Sequence, residues 1–136
     1  MSGSATEVKP GIYWVGAIDW GLRDFHGYST ELGSTYNAFL VVDDHVTLFD
    51  TVKATHTEEM LWRIGQVIDP GRIDTVVVNH AEMDHSGSLG RLIETVHPER
   101  VFASPACEKA LKAHFHYTDW PVHVVKSGDR LNLGKR

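Results

Sequence analysis

The sequence predicts an α/β fold in which a mixed sheet carries helices on one side. Three observations point to it. Tyr36 to Val42 and His45 to Val52 are β-prone runs joined across Asp43-Asp44, a pair whose side chains favour turns, so they read as an antiparallel hairpin. Further along, segments with helical apolar spacing alternate with short apolar runs, the order expected of helices crossing between strands. Val76-Val77-Val78 sets β-branched residues in succession, as a strand buried on both faces requires.

The elements follow in order. Lys9-Pro10-Gly11 is turn material ahead of Ile12 to Gly16, a short β-prone run. Ala17 to Thr35 is rich in Gly, Asp and Ser and reads as a long loop; loops of this length in a compact domain tend to be functional. Thr55 and Glu58 have capping-box spacing at the start of a first helix, with Leu61, Ile64 and Ile68 on one face, Met60 and Val67 beside them, and Pro70-Gly71 as its end. The strand Thr75 to Asn79 comes next. Gly87 to Val96 reads as a second helix with Leu89, Leu92, Ile93 and Val96 inward, closed by His97-Pro98. Val101-Phe102-Ala103 is a short buried strand, and Ser104-Pro105 supplies a cap and a first-turn proline for a third helix reaching His114 or Phe115. Val122 to Val125 and Arg130 to Leu133 read as strands around the turn Lys126-Ser127-Gly128-Asp129.

At 136 residues and 42% hydrophobic content the chain has the size and composition of one ordinary core. A net charge of -5 without a long basic run gives no footprint for nucleic acid. No apolar stretch approaches the roughly 20 residues of a membrane span. The start of the chain lacks the basic-then-apolar pattern of a secretory signal, and the single cysteine, Cys107, fits a reducing cytoplasm. A cytoplasmic location is therefore expected.

Chemistry concentrates just after the valine strand. His80, Glu82, Asp84 and His85 put two imidazoles and two carboxylates within six residues. An extended backbone from His80 to Asp84 would point His80, Glu82 and Asp84 to one side, and a turn would bring in His85. Facing carboxylates repel unless a cation lies between them. Oxygen and imidazole donors without thiolate suit iron, manganese or zinc, with iron the best fit where carboxylates share the site with histidines.

The pattern His80-x-Glu82-x-Asp84-His85 resembles the metal motif of the flavodiiron proteins. Trp20 to Thr30 and Thr35 to Leu40 are also similar to the amino-terminal segment of that family. Hydrolases of the same fold usually carry His-x-His-x-Asp-His and bind zinc, so Glu82 favours the redox branch. The resemblance implies half of a metallo-β-lactamase-like αββα sandwich over residues 1–136, with the second half and a flavodoxin-like domain absent. It implies a non-haem diiron oxidoreductase that reduces dioxygen to water or nitric oxide to nitrous oxide. Electrons would come from FMN, itself supplied by a donor such as rubredoxin or a flavoprotein reductase. His80 and Glu82 would ligate one iron, Asp84 and His85 the other, with His26 near the centre as a hydrogen-bond donor or ligand and Tyr28 lining the pocket. FMN is expected only in the missing domain.

The alternatives are a metal-dependent hydrolase of the same fold, and a metal-binding or assembly half without turnover of its own. A lone half would leave one sheet face uncovered, so it is expected to form a homo-oligomer, bind a complementary chain or be only marginally stable. Asp50, at a strand end, reads either as support for a ligand histidine or as a turn aspartate. His114 and His116 are two apart on a helix and point to different faces, which rejects a second metal site. His45, His56, His97 and His123 read as surface or cap residues, Cys107 as a small buried one. Trp14, Trp20, Trp62 and Trp120 read as packing, with Trp20 a possible pocket wall.

Overall fold

The computed structural model describes residues 4–20, 24–25, 28–29, 34–115 and 119–135, and for Asp24, Phe25, Tyr28, Ser29, Ser34, Met83 and Asp84 only the backbone. In chain order the strands are β1 (Thr6–Lys9), β2 (Ile12–Trp14), β3 (Ala17–Asp19), β4 (Asp24–Phe25), β5 (Tyr28–Ser29), β6 (Ser34–Tyr36), β7 (Phe39–Val42), β8 (Val46–Phe49), β9 (Thr75–Val78), β10 (Arg100–Ala103) and β11 (Val122–Val124). The helices are α1 (Thr57–Gly65), α2 (Met83–Ser86), α3 (Leu89–Val96) and α4 (Pro105–Phe115). A seven-stranded sheet has the order β1-β2-β7-β8-β9-β10-β11. β1, β2, β7 and β8 pair antiparallel, and β8 to β11 are parallel.

The crossovers β8–α1–β9, β9–α3–β10 and β10–α4–β11 each join parallel neighbours and advance across the sheet in one direction. Because such crossovers share one hand, all three helices fall on the same face. The mixed sheet with helices on one side is as expected. Leu40, Leu48, Val76 and Val101 lie in one row across β7 to β10 and join Met60, Ile64, Leu89, Leu92 and Leu111 in the core. The next row, Phe39, Phe49, Val77, Phe102 and His123, lies on the opposite face, which the helices leave uncovered.

Several expected elements differ in the structure. The run expected as one strand from Tyr36 to Val42 is divided between β6 and β7, and the long loop from Ala17 to Thr35 holds short strands. Ile12↔Val41, Ala17↔Tyr36 and Asp24↔Ser29 keep a single register, so the described parts of this segment belong to one antiparallel ribbon. Its pairing is interrupted at Gly16, where an added Cβ would stand 1.9 Å from the Tyr36 carbonyl oxygen. Arg63, 3% exposed, donates through Nη1 to the Gly16 carbonyl at 2.8 Å and to Glu59 Oε2 at 2.6 Å, and the same oxygen accepts from Ile18 N–H at 3.0 Å. The ribbon base is thereby fastened to α1.

The strand expected to reach Val52 stops at Phe49, because Asp50 takes a positive φ of 62°. No capping box forms at Thr55. A single 3₁₀ turn over Ala54–His56 precedes α1, and Thr55 Oγ1 lies 2.9 Å from His56 Nδ1 instead of capping the helix. Residues 130–133 form no strand; Leu133 instead gives its carbonyl to His45 N–H at 3.0 Å. Trp20 and Trp62, expected in packing, are 64% and 40% exposed. The second and third helices, the Ser104 cap (Cys107 N–H to Oγ, 3.1 Å) and buried Cys107 are as expected.

Candidate metal centre

β9 is buried along its length and ends at Val78, so the chain emerges at the carboxyl end of a parallel strand beside the corresponding end of β8. Ligand crevices of open α/β sheets form at this edge. The expected extended path from His80 to Asp84 is replaced by a turn. Glu82 carbonyl accepts from His85 N–H and Ser86 N–H, both at 2.9 Å, and from Ser86 Oγ at 3.0 Å, which winds the chain into α2 two residues early. His80 and Glu82 therefore precede the helix, with Asp84 and His85 on it.

Three of the four predicted ligands come together. His80 Nε2 lies 3.7 Å from Glu82 Oε1, and the His80 and His85 rings stack with centroids 5.3 Å apart at an interplanar angle of 7°. The Asp84 side chain lies outside the described set, as do His26 and the Tyr28 side chain. Metal–ligand bonds of about 2.1 Å put two donors on one ion roughly 3.0 Å apart at a right angle and roughly 4.2 Å apart when opposite. The separation of His80 Nε2 and Glu82 Oε1 falls within that range, and both side chains are about half exposed and within reach of an incoming ion. Their chemistry and spacing fit one ion held by His80 and Glu82. Among the described residues no cluster of three such donors closes around a point.

Beneath the loop lies the turn after β8. Asp50 accepts from Asn79 N–H at 2.7 Å and Asn79 Nδ2 at 3.2 Å, and Thr51 donates from its N–H and its hydroxyl to the His85 carbonyl at 2.8 and 3.0 Å. Burial pushes the Asp50 carboxyl above its ordinary pKa, with the Asn79 bonds and nearby His85 pulling the other way. Asp50 thus holds the backbone leading into His80 from a turn position with positive φ. Cys107, behind β9, places Sγ 3.7 Å from the Val78 carbonyl oxygen, and burial, then Asp50, push its thiol up.

Sequence reasoning missed Asn79 and Thr51. The signal for them was slight: polar residues one and two positions beyond the ends of apolar strands. Of the remaining histidines, His45 has a definite partner in Asp74 Oδ1 at 3.2 Å, His97 closes α3 in a left-handed conformation, and His123 faces the Phe102 ring. His114 is exposed, its ring edge-on to Phe115.

No protein-family model matches the chain. Over 133 residues it is 55% identical to a rubredoxin-oxygen oxidoreductase of Megalodesulfovibrio gigas, covering 97% of this chain and 33% of that protein. It is 43% identical over 131 residues to a nitric oxide reductase of Moorella thermoacetica, covering 95% of this chain and again 33% of the relative. The structure superposes on the flavodiiron protein from Giardia intestinalis with a TM-score of 0.92 and 35% identity, over 100% of this chain and 33% of that one. The chain belongs with the flavodiiron proteins. It spans about a third of the length of the flavodiiron relatives it matches. A metallo-β-lactamase of Cronobacter sakazakii, at 19% identity and a TM-score of 0.72, shares the fold alone, over 51% of its length. The flavodiiron segment is thus an α/β unit of metallo-β-lactamase-like architecture. Among its described residues no helix is long and apolar enough to cross a membrane.

Proposed function

We propose that this segment is the iron-binding half of the metallo-β-lactamase-like domain of a flavodiiron oxidoreductase, acting on dioxygen, nitric oxide or both. The observation that carries the reading is a carboxylate, Glu82, beside His80 Nε2 at 3.7 Å, where a hydrolase of this fold would offer a second imidazole. His80 and Glu82 would hold one iron, Asp84 and His85 the other, with His26 beside them. When bound, two ferrous ions supply a site at which dioxygen takes four electrons and four protons to give two waters, or two nitric oxide molecules take two of each to give nitrous oxide and water.

The chain's own residues hold that site at a rigid sheet edge. Asp50 and Thr51 anchor the loop at its two ends. The names of the relatives support dioxygen or nitric oxide as substrate and rubredoxin as an electron donor. FMN belongs to the part of the longer protein outside this segment. The face carrying Phe39, Phe49, Val77 and Phe102 would receive the second half of the domain, or a second copy if the segment is made alone.

The test is elemental analysis and gas consumption of the full-length protein expressed with iron. About two irons per complete site, with FMN-dependent consumption of dioxygen or nitric oxide, is the expected result. Zinc in the site together with ester or amide hydrolysis would overturn the reading.

A further inference from the structure

We propose that Thr51 is a positioning residue for the iron centre, acting through the backbone of His85; the inference rests on the reading of His85 as an iron ligand. Both donors of Thr51 converge on one acceptor, its N–H at 2.8 Å and its Oγ1 at 3.0 Å from the His85 carbonyl oxygen. Thr51 is 1% exposed, so these bonds are shielded from solvent. The acceptor belongs to the end of the four-residue helix α2, and carbonyls at a helix end have no intrahelical partner. Two donors fix both the place and the tilt of the His85 peptide, and with it the direction in which the imidazole leaves the backbone.

A metal ligand performs only when held within about 0.5 Å and 10–20° of its productive geometry, which makes such backbone support functional. The adjoining bonds extend the hold. Ser88 N–H donates to the Val52 carbonyl at 2.9 Å, and Ser88 Oγ, 2.6 Å from Thr57 Oγ1, reaches the Lys53 carbonyl at 3.3 Å. Within this set the Thr51 hydroxyl is the part that substitution can remove while the main-chain bonds stay. Thr51→Val keeps the β-branch and the N–H and deletes the O–H; Thr51→Ser keeps the O–H.

The experiment titrates the apo full-length protein anaerobically with ferrous iron against a chelator and checks folding by circular dichroism. T51V should bind ferrous iron about tenfold or more weakly, the usual effect of removing an outer partner of a metal ligand, and T51S should bind near the wild-type value. If T51V does not fold, T51A removes the same hydroxyl and takes its place. Wild-type affinity in a folded hydroxyl-less variant, or equal weakening in T51S, would overturn the proposal. His85→Ala separates the two levels: retained affinity in H85A refutes the ligand assignment, whereas loss in H85A with no change in T51V refutes the role of Thr51 alone.

Discussion

The carboxylate of Asp50 accepts from both the backbone and the side-chain amide of Asn79, at 2.7 and 3.2 Å, and so joins the ends of two neighbouring parallel strands. Asp50 does this from a left-handed conformation, φ 62°. Two contributions are therefore combined at one residue, and substitution separates them. Asp50→Ala loses charge-assisted hydrogen bonds and keeps the conformational penalty, for an expected loss of about 2 kcal/mol. Asp50→Gly should recover about 1 kcal/mol of that, because glycine enters the left-handed region freely. Urea denaturation midpoints of the two variants measure the difference, and identical midpoints would remove the strain component.

Arg63 and Glu59 form a pair whose arginine is almost wholly buried, and the arginine also holds the ribbon at the Gly16 carbonyl. Arg63→Ala takes the guanidinium from the Gly16 carbonyl and from Glu59, which keeps only the Ile18 N–H of the bonds described, with an expected cost of about 3 kcal/mol. The loss should be larger than that of Glu59→Gln, which leaves Arg63 its carbonyl partner. Chemical denaturation distinguishes these; equal, small losses would mean that the pair does not fasten the ribbon.

The Cys107 thiol is raised by burial and then by Asp50. Since the folded protein favours the neutral thiol, its contribution to stability is present at pH below the ordinary thiol pKa and is lost as pH rises through the raised one. Native protein at about pH 8.5 should thus react with iodoacetamide far more slowly than urea-unfolded protein. Relative to wild type, Cys107→Ala should gain stability only on the alkaline side. Mass spectrometry and pH-dependent melting report the two effects, and a fast native reaction would contradict the burial.

Glu82→Ala and Asp84→Ala should each strip iron from the full-length protein while its circular dichroism persists. Glu82 Nα–H and carbonyl bonds survive the first change, so the turn into α2 remains. Unchanged iron in either variant, by elemental analysis, would count against that residue as a ligand.

Legibility in the sequence tracked how many neighbouring residues carried the same signal. β9 and α3 were readable because consecutive valines, or four inward apolar residues at helical spacing, leave few alternatives. The ribbon was not: its pairing breaks at Gly16, and its partners are distant in sequence and mixed in character. The proposed ligands could be named from residue type alone. Their path could not, since Ser86 and the Glu82 carbonyl draw the backbone into a helical turn that alternation of side chains does not reveal. Thr51 escaped notice because a threonine after an aspartate has no meaning until the His85 carbonyl is seen to face it.

The short bridge from Asp50 to Lys53 touches Asn79, His85 and Ser88 in the same order as its own residues, with no slack between contacts. A single amino acid inserted there would pass each partner to the wrong neighbour and dismantle both supports at once. Lengthening the exposed turn at Ser127 and Gly128, where an added Cβ on the glycine would meet nothing within 4 Å, would only enlarge a surface loop. Insertions should accordingly be tolerated in the second place and never in the first, a contrast that a library of one-residue insertions would expose directly.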